Sequence, residues 1–351
     1  LPGGESPRTE TDMAEQWWRT ADGEHDANHR DRARVLRALA ERVLEGSEPL
    51  DARDLSAAAL DALVHSETLR DLGNDRVAFR HDVLAEWAVG CLLSSEPTAI
   101  DRLPLGGLAP ATLARGVELA ARSALETSAD SPAWQSLLER LSSEGVHGSW
   151  RRAALLALVR SEAAADILTK ASDVLLASHA RLLRELIRIV RAVEVLPTAE
   201  WFAKRGVDPS AIPPHLNTAR GPSWLRLIRW LLRLGEELPG ATIPDVVDLY
   251  SDWSWSALGE DPLTPHLLSW LYRWLNEIEA VRDVASEKRD VQGALFGGDG
   301  LDSADLGSLE KKLRTGFLLF CNRTPALAAN YLQRLKGGGR HNEQTVKGIL
   351  K

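Results

Sequence analysis

RVAFRHDVLAEWA, Arg76 to Ala88, changes its hydrophobic period halfway along. In the first half, Val77 and Phe79 alternate with Ala78 and Arg80, the period of two expected of a half-buried strand. In the second half and just beyond it, Val83, Leu84, Trp87, Ala88, Cys91 and Leu92 recur at three and four residues, the spacing of one helical face. A strand therefore runs directly into a helix, with His81-Asp82 at the change. Either residue can cap that helix, and the Asp82 carboxylate also suits the positive end of the helix dipole.

Working upstream, Glu67 to Leu72 reads as a second extended segment, and Gly73-Asn74-Asp75 is the turn that makes the two a hairpin. Between Asn28 and Gly46, Val35, Leu36, Leu39, Ala40, Val43 and Leu44 fall on one stripe, and Gly46 ends the helix. Asp51 to Leu55 is expected to form a short second helix, and Ser56 to cap a third that runs through Leu60 and Leu63. Three helices followed by a small hairpin is the order of a winged helix, here over residues 28–97, with residues 1–27 as an N-terminal linker or helix.

Downstream of about Leu105 the sequence is a succession of amphipathic helices punctuated by Pro and Gly, Ala164 to Leu176 and Ala180 to Val195 among them. The predicted fold class is thus mostly α: a winged-helix domain with a short β-hairpin, followed at 105–351 by an α-solenoid of HEAT or armadillo-like repeats. Ser149 to Leu158 resembles the second half of a HEAT repeat, and Ser223-Trp224-Leu225 recurs at Ser269-Trp270-Leu271, about 46 residues on. The segments 208–222, rich in Pro, and 292–307, rich in Gly and Asp, read as long surface loops.

The composition excludes several functions. With 351 residues the chain can bury a sizeable core, and a net charge of -8 with scattered Lys and Arg gives no footprint for a nucleic-acid backbone or an anionic membrane. No apolar run approaches the roughly 20 residues needed to span a bilayer, and no signal peptide opens the chain, so the expected location is cytoplasmic. The cysteines, Cys91 and Cys321, are expected to be reduced and buried; one pair makes neither a disulfide framework nor a zinc site. The absence of an initial Met and the uncapped end VKGILK lead us to expect a piece of a longer polypeptide.

Chemistry-bearing motifs are scarce. No Gly-rich loop ends in Gly-Lys-Ser/Thr to cradle phosphates, and Lys336 to His341 reads as a flexible tail rather than an anion site. Metalloprotease spacing and a nucleophile elbow are missing. The acidic stretch Asp299 to Glu310 carries Leu301 where calcium requires an oxygen, so no metal site is expected. Catalytic residues are therefore none, and the chain by itself is not expected to be an enzyme. Of the 12 tryptophans, Trp17, Trp18, Trp224, Trp230, Trp270 and Trp274 are candidate interface residues, with packing between helices as the competing role. The adjacent pair Trp17-Trp18 is the best candidate for bridging to a domain outside this chain.

At Arg80-His81-Asp82, followed by Val83-Leu84-Ala85-Glu86-Trp87-Ala88, the residues and the order of elements together resemble the winged-helix segment of STAND NTPases, the signal-transduction ATPases that include NACHT and plant disease-resistance proteins. There a Met-His-Asp motif lies at the last strand-helix junction; Arg80 stands in place of the frequent Met. The resemblance spans Gln16 to Ser95. It implies that His81 contacts the β-phosphate of ADP, that Asp82 caps and orients the helix, and that ATP or ADP with Mg is bound by an ATPase core upstream, absent from this chain. It also implies a helical sensor array, a protein ligand or the ATPase domain itself as partner, and a full-length protein that oligomerises on activation, in anti-phage defence or transcriptional signalling. A capping or buried neutral histidine in an ordinary winged helix is the alternative for His81. The alternative for the whole is a helical-repeat scaffold for protein partners with no nucleotide role. DNA reading is disfavoured, because the third helix, Ser56 to Leu63, carries no Arg, Lys, Asn or Gln for base edges.

Overall fold

A computed structural model of the chain describes residues 6–21, 28–46, 49–127, 132–198, 203, 208, 217–257, 259–287 and 303–337. The protein is mostly α-helical and divides into two compact units, Leu1–Ala171 and Ser172–Lys351.

In the first unit, α1 (Glu10–Thr20) precedes α2 (His29–Leu44), β1 (Leu50–Asp51), α3 (Ala57–His65), the hairpin β2 (Leu69–Gly73) and β3 (Arg76–Phe79), then α4 (Asp82–Ser95). A 3-10 turn, Pro97–Arg102, leads to α5 (Ala111–Thr127), α6 (Pro132–Arg140), α7 (Gly148–Arg160) and α8 (Ala164–Lys170). The three strands are antiparallel in the order β1-β3-β2. Leu69 faces Phe79 and Leu50 faces Val77, and all four side chains are buried, so the alternation read in RVAF is the inner face of this sheet. Asn74 and Asp75 both have positive φ, at 53° and 55°, which is the twist a two-residue hairpin turn demands.

The short helix expected over 51–55 is a strand and a turn instead. The Asp51 carboxylate accepts from the Arg53 backbone N–H at 3.1 Å and from its guanidinium, and Ala52 N–H donates to the Asp75 carbonyl at 2.8 Å. An Asx-type turn and a third strand have captured backbone groups that a helix would have used. Ser56 does cap α3, accepting from Ala59 N–H at 3.4 Å. Gly46, at φ +73°, ends α2 in the left-handed conformation that favours glycine.

α4 and α5 form the closest helix pair of this unit. A Cβ at Gly116 would lie 2.7 Å from Val89 Cβ, and one at Gly90 would lie 2.7 Å from Leu119 Cδ2. The two glycines meet the partner helix reciprocally and let the backbones approach. α5 packs on α6 and α7, and α7 on α6 and α8. The α7 face is filled by Trp150, Ala153, Ala154, Leu155 and Leu158, and the Trp150 indole N–H donates to the Gly107 carbonyl at 3.0 Å.

The second unit opens with α9 (Ser172–Val193), followed by a two-stranded antiparallel pair, β4 (Val195–Pro197) and β5 (Asn217–Ala219). Then come α10 (Pro222–Leu234), α11 (Ile243–Ser256), α12 (Thr264–Glu287), α13 (Ser303–Leu319) and α14 (Pro325–Gly337). Two loop expectations need correction: 217–219 is a strand, because Thr218 and Ala219 find ladder partners in Leu196 and Val195, and 303–307 starts α13. The rest of 209–216, residues 292–302 and the tail from 338 onward lie outside the described residues. The helix expected over 164–176 breaks at Ala171, whose N–H closes α8 on the Ile167 carbonyl at 2.9 Å. Among the described residues, no helix is long and apolar enough to cross a membrane.

Gly116→Ala should destabilise the protein by about 1–3 kcal/mol, because the helix seam has no room for a methyl group. Gly148→Ala, whose Cβ meets nothing within 4 Å, should be neutral or slightly stabilising. Urea unfolding of the two variants checks the contrast.

Candidate functional site

The sheet delivers the chain to the His81-Asp82 junction. Arg80 N–H still donates to the Thr68 carbonyl at 2.9 Å, so the ladder ends one residue before the helix cap. His81 is the cap residue: its backbone is extended, at φ -132° and ψ 144°, and its carbonyl accepts from Leu84 N–H at 3.0 Å. Its imidazole makes no capping hydrogen bond and is exposed. Asp82 is the first helical residue, an exposed acid in the first turn, and so favours the dipole without occupying the cap. Val83, next in sequence, is an exposed apolar side chain at 39%. The junction thus presents an imidazole, a carboxylate and an isopropyl group together at the positive end of α4.

A second polar site was not legible from motifs. Glu10, in the first turn of α1, reaches between α4 and α5: its carboxylate accepts from Arg115 Nη2 at 2.5 Å, Arg122 Nη1 at 2.7 Å and the Trp87 indole N–H at 3.3 Å. Arg122 is almost fully enclosed and also donates to Glu162 at 2.7 Å. Glu118, equally buried, pairs with Arg115 and accepts from Arg160 at 2.5 Å. Glu126 accepts from Thr9 at 3.1 Å, from Thr11, and from Ser161 at 2.5 Å. These bonds tie α1, α4, α5 and α7 through charge buried between them.

Burial pushes the Glu10 carboxyl up, but Arg115, the Trp87 hydrogen bond and Arg122 outweigh it and hold the pKa below the ordinary 4.5. Burial raises Glu86, which Arg115 only partly offsets and which the like charges of Glu10, Asp82 and Glu118 raise further. Burial also pushes the Cys91 thiol up to about 12, so it packs as a small apolar side chain. Both cysteines are free, Cys91 buried and Cys321 half-buried.

Trp17 is buried and its ring lies 6.2 Å from Trp18 and 6.1 Å from Trp87. Trp18 and Trp87 in turn pack on Ala14, Cys91 and Leu119. Trp17 and half-buried Trp18 thus pack α1 against its own unit. Trp224, Trp230 and Trp274 are buried as well, filling the interior of the second unit, where Trp224 stacks on Trp253 and Trp274 on Tyr250. Trp270 is only half-buried, and Arg273 lies 5.1 Å over its ring beside a groove of about 290 Å³. Among the described residues, no group of three or more His, Cys, Asp or Glu is placed to hold a metal ion. The chain matches no protein-family model and no curated protein.

Glu10→Ala should cost about 1–3 kcal/mol, since both arginines lose one carboxylate partner but keep others, Arg115 with Glu118 and Arg122 with Glu162. The pH dependence has opposite signs at the two carboxylates. The folded pKa of Glu10 is depressed, so its stabilisation is present above 4.5 and is lost as pH falls below it. The folded pKa of Glu86 is raised, so the folded state gains as pH falls through that raised value. Glu86→Gln should therefore raise Tm at neutral pH, with the gain shrinking in mild acid; thermal unfolding across pH checks both.

Proposed function

We propose that this chain is the regulatory and sensor portion of a bacterial STAND-type signalling ATPase. On this reading residues 28–97 are a winged helix, the helices of 105–351 are a HEAT-like array that senses a protein ligand, and ATP or ADP with Mg is bound by an upstream ATPase core. Ligand binding along the array favours the state in which the winged helix has released the nucleotide, which requires the ligand to prefer that state. The cytoplasm, and anti-phage or transcriptional signalling, are the settings this reading assigns.

The observation that carries the reading is the His81 side chain. The backbone of His81 does the capping, so the imidazole is not spent on the helix end and faces outward with the α4 dipole behind it. A phosphate is the group such an arrangement attracts, since helix N-termini favour negative charge and an imidazole N–H can donate to an anionic oxygen. Exposed Val83 and Leu72, the latter at 44% on the hairpin, supply apolar surface for a neighbouring domain. A second reading, a scaffold that binds protein partners without nucleotide, is favoured by half-buried Trp270 beside its groove.

In the protein carrying its ATPase domain, His81→Ala should lower the ADP retained through purification and raise basal signalling. Nucleotide extracted from the purified protein and quantified by chromatography checks this. Unchanged retention in a variant with the native circular dichroism spectrum leaves His81 a cap alone and favours the scaffold.

A further inference from the structure

Helix α10, PSWLRLIRWLLRL, carries three arginines and no acid. Arg226, Arg229 and Arg233 stand at i, i+3 and i+7, so they form one row on the side of the helix away from buried Trp224, Leu227, Ile228 and Leu231. Arg229 and Arg233 are exposed, and neither has an ion pair among the described residues. Arg226 is half-buried and has an interaction within the chain, so the open members of the row are Arg229 and Arg233. Arg220, just ahead of the helix, is exposed as well. The acids that follow do not close the row: Glu236 is held by Arg273 at 2.7 Å, and exposed Glu237 is a single carboxylate beyond its end.

The same unit shows what such a row fits. On α9, Arg184, Arg188 and Arg191 pair with Asp245, Asp248 and Asp252 of α11 at 2.8 to 3.1 Å. Those aspartates have the spacing i, i+3 and i+7 that the α10 arginines have, so a helix with carboxylates in that pattern is the complement of the row.

Length and charge select a helix of protein over a nucleic-acid strand. From Arg226 to Arg233 the row runs only about 10 Å, and the net charge of -8 repels a long polyanion. Apolar seats lie beside it. Half-buried Leu225 and Leu232 run along one edge of the row, and its C-terminal end leads to Gly235, which lines the groove beside half-buried Trp270.

We propose that the α10 row is the docking surface for an acidic amphipathic helix of a protein partner, with Asp or Glu against Arg229 and Arg233 and apolar side chains on Leu232 toward Trp270. Exposed ion pairs contribute little singly, so the apolar contact carries the affinity while the charges set register and partner choice. This inference rests on the helices of 105–351 binding a protein ligand, and not on nucleotide.

The test uses the full chain and a fluorescein-labelled, alanine-based helical peptide with Asp at i, i+3 and i+7 and Leu beside them, read by fluorescence anisotropy. Binding is expected, and it should weaken as salt rises. R229E/R233E should lower the affinity about tenfold, and the same peptide with Lys in place of Asp should bind that variant better than it binds the native chain. Both positions are exposed, so the variant should keep the native circular dichroism spectrum. No binding, or binding that the charge reversal leaves unchanged, overturns the proposal. Equal binding by a peptide with its acids at i, i+2 and i+5, or by a single-stranded oligothymidylate, also overturns it and makes the row a general anion patch. Binding that survives R229E/R233E but is lost with Trp270→Ala overturns the proposal and leaves the protein-ligand reading standing.

Discussion

The first unit depends on how closely α4 and α5 approach. Gly90 and Gly116 set that approach: each lies against the side chain that the other helix offers, Leu119 on one side and Val89 on the other. Once the seam is closed, α4 is fixed at its N-terminus by β3 and along its sides by α1, α2 and α5. The exposed His81 junction is then a rigid edge of a packed helix and not a loop tip, and a change that shifts α4 on α5 would shift the junction with it.

Charge is buried where the helices need a fixed register. Removing a carboxylate or a guanidinium from water costs several kcal/mol, so such a site forms only when its partners are nearly complete. In the first unit Glu10 meets Arg115 and Arg122, and Arg32 donates to the Ala21 carbonyl at the end of α1 at 3.2 Å, so both ends of α1 are pinned. The second unit carries a more exposed ladder of ion pairs. Arg184, Arg188 and Arg191 on α9 face Asp245, Asp248 and Asp252 on α11, at spacings that keep each set on one helical face. A slip of one helix along the other would leave charges unpaired, whereas an apolar seam would tolerate it.

The fold was legible wherever a local period or a turn residue carried it. RVAF announced a strand through Val77 and Phe79, Asn74-Asp75 the hairpin turn, Ser56 and Gly46 a helix start and a helix end. β1 was not legible, because two residues have no period and the deciding bond, from Ala52 to Asp75, joins distant positions. α1 carries a capping box, Thr9 with Asp12, that signals its start, but nothing in its period says that it docks on α4. The Glu10 site could not be read at all: Glu10 and Arg122 are 112 residues apart, and each alone looks like a charge on a solvated face. The tryptophans were legible only as a pair of roles; Trp17, Trp224, Trp230 and Trp274 are buried. The interruption of α9 at Ala177–Ala180 falls between the two helices that the apolar period gives, 164–176 and 180–195.

The physical basis offered for the His81 junction is therefore that α4, held against α5, is the framework on which α1, the sheet and the junction are placed. Native-state hydrogen exchange tests this dependence most directly. Within residues 1–171, amides of α4 and α5 should exchange slowest and at a common rate, with those of α1 and the β2-β3 hairpin opening earlier. Protection in α1 or the hairpin that outlasts protection in α4 would contradict it.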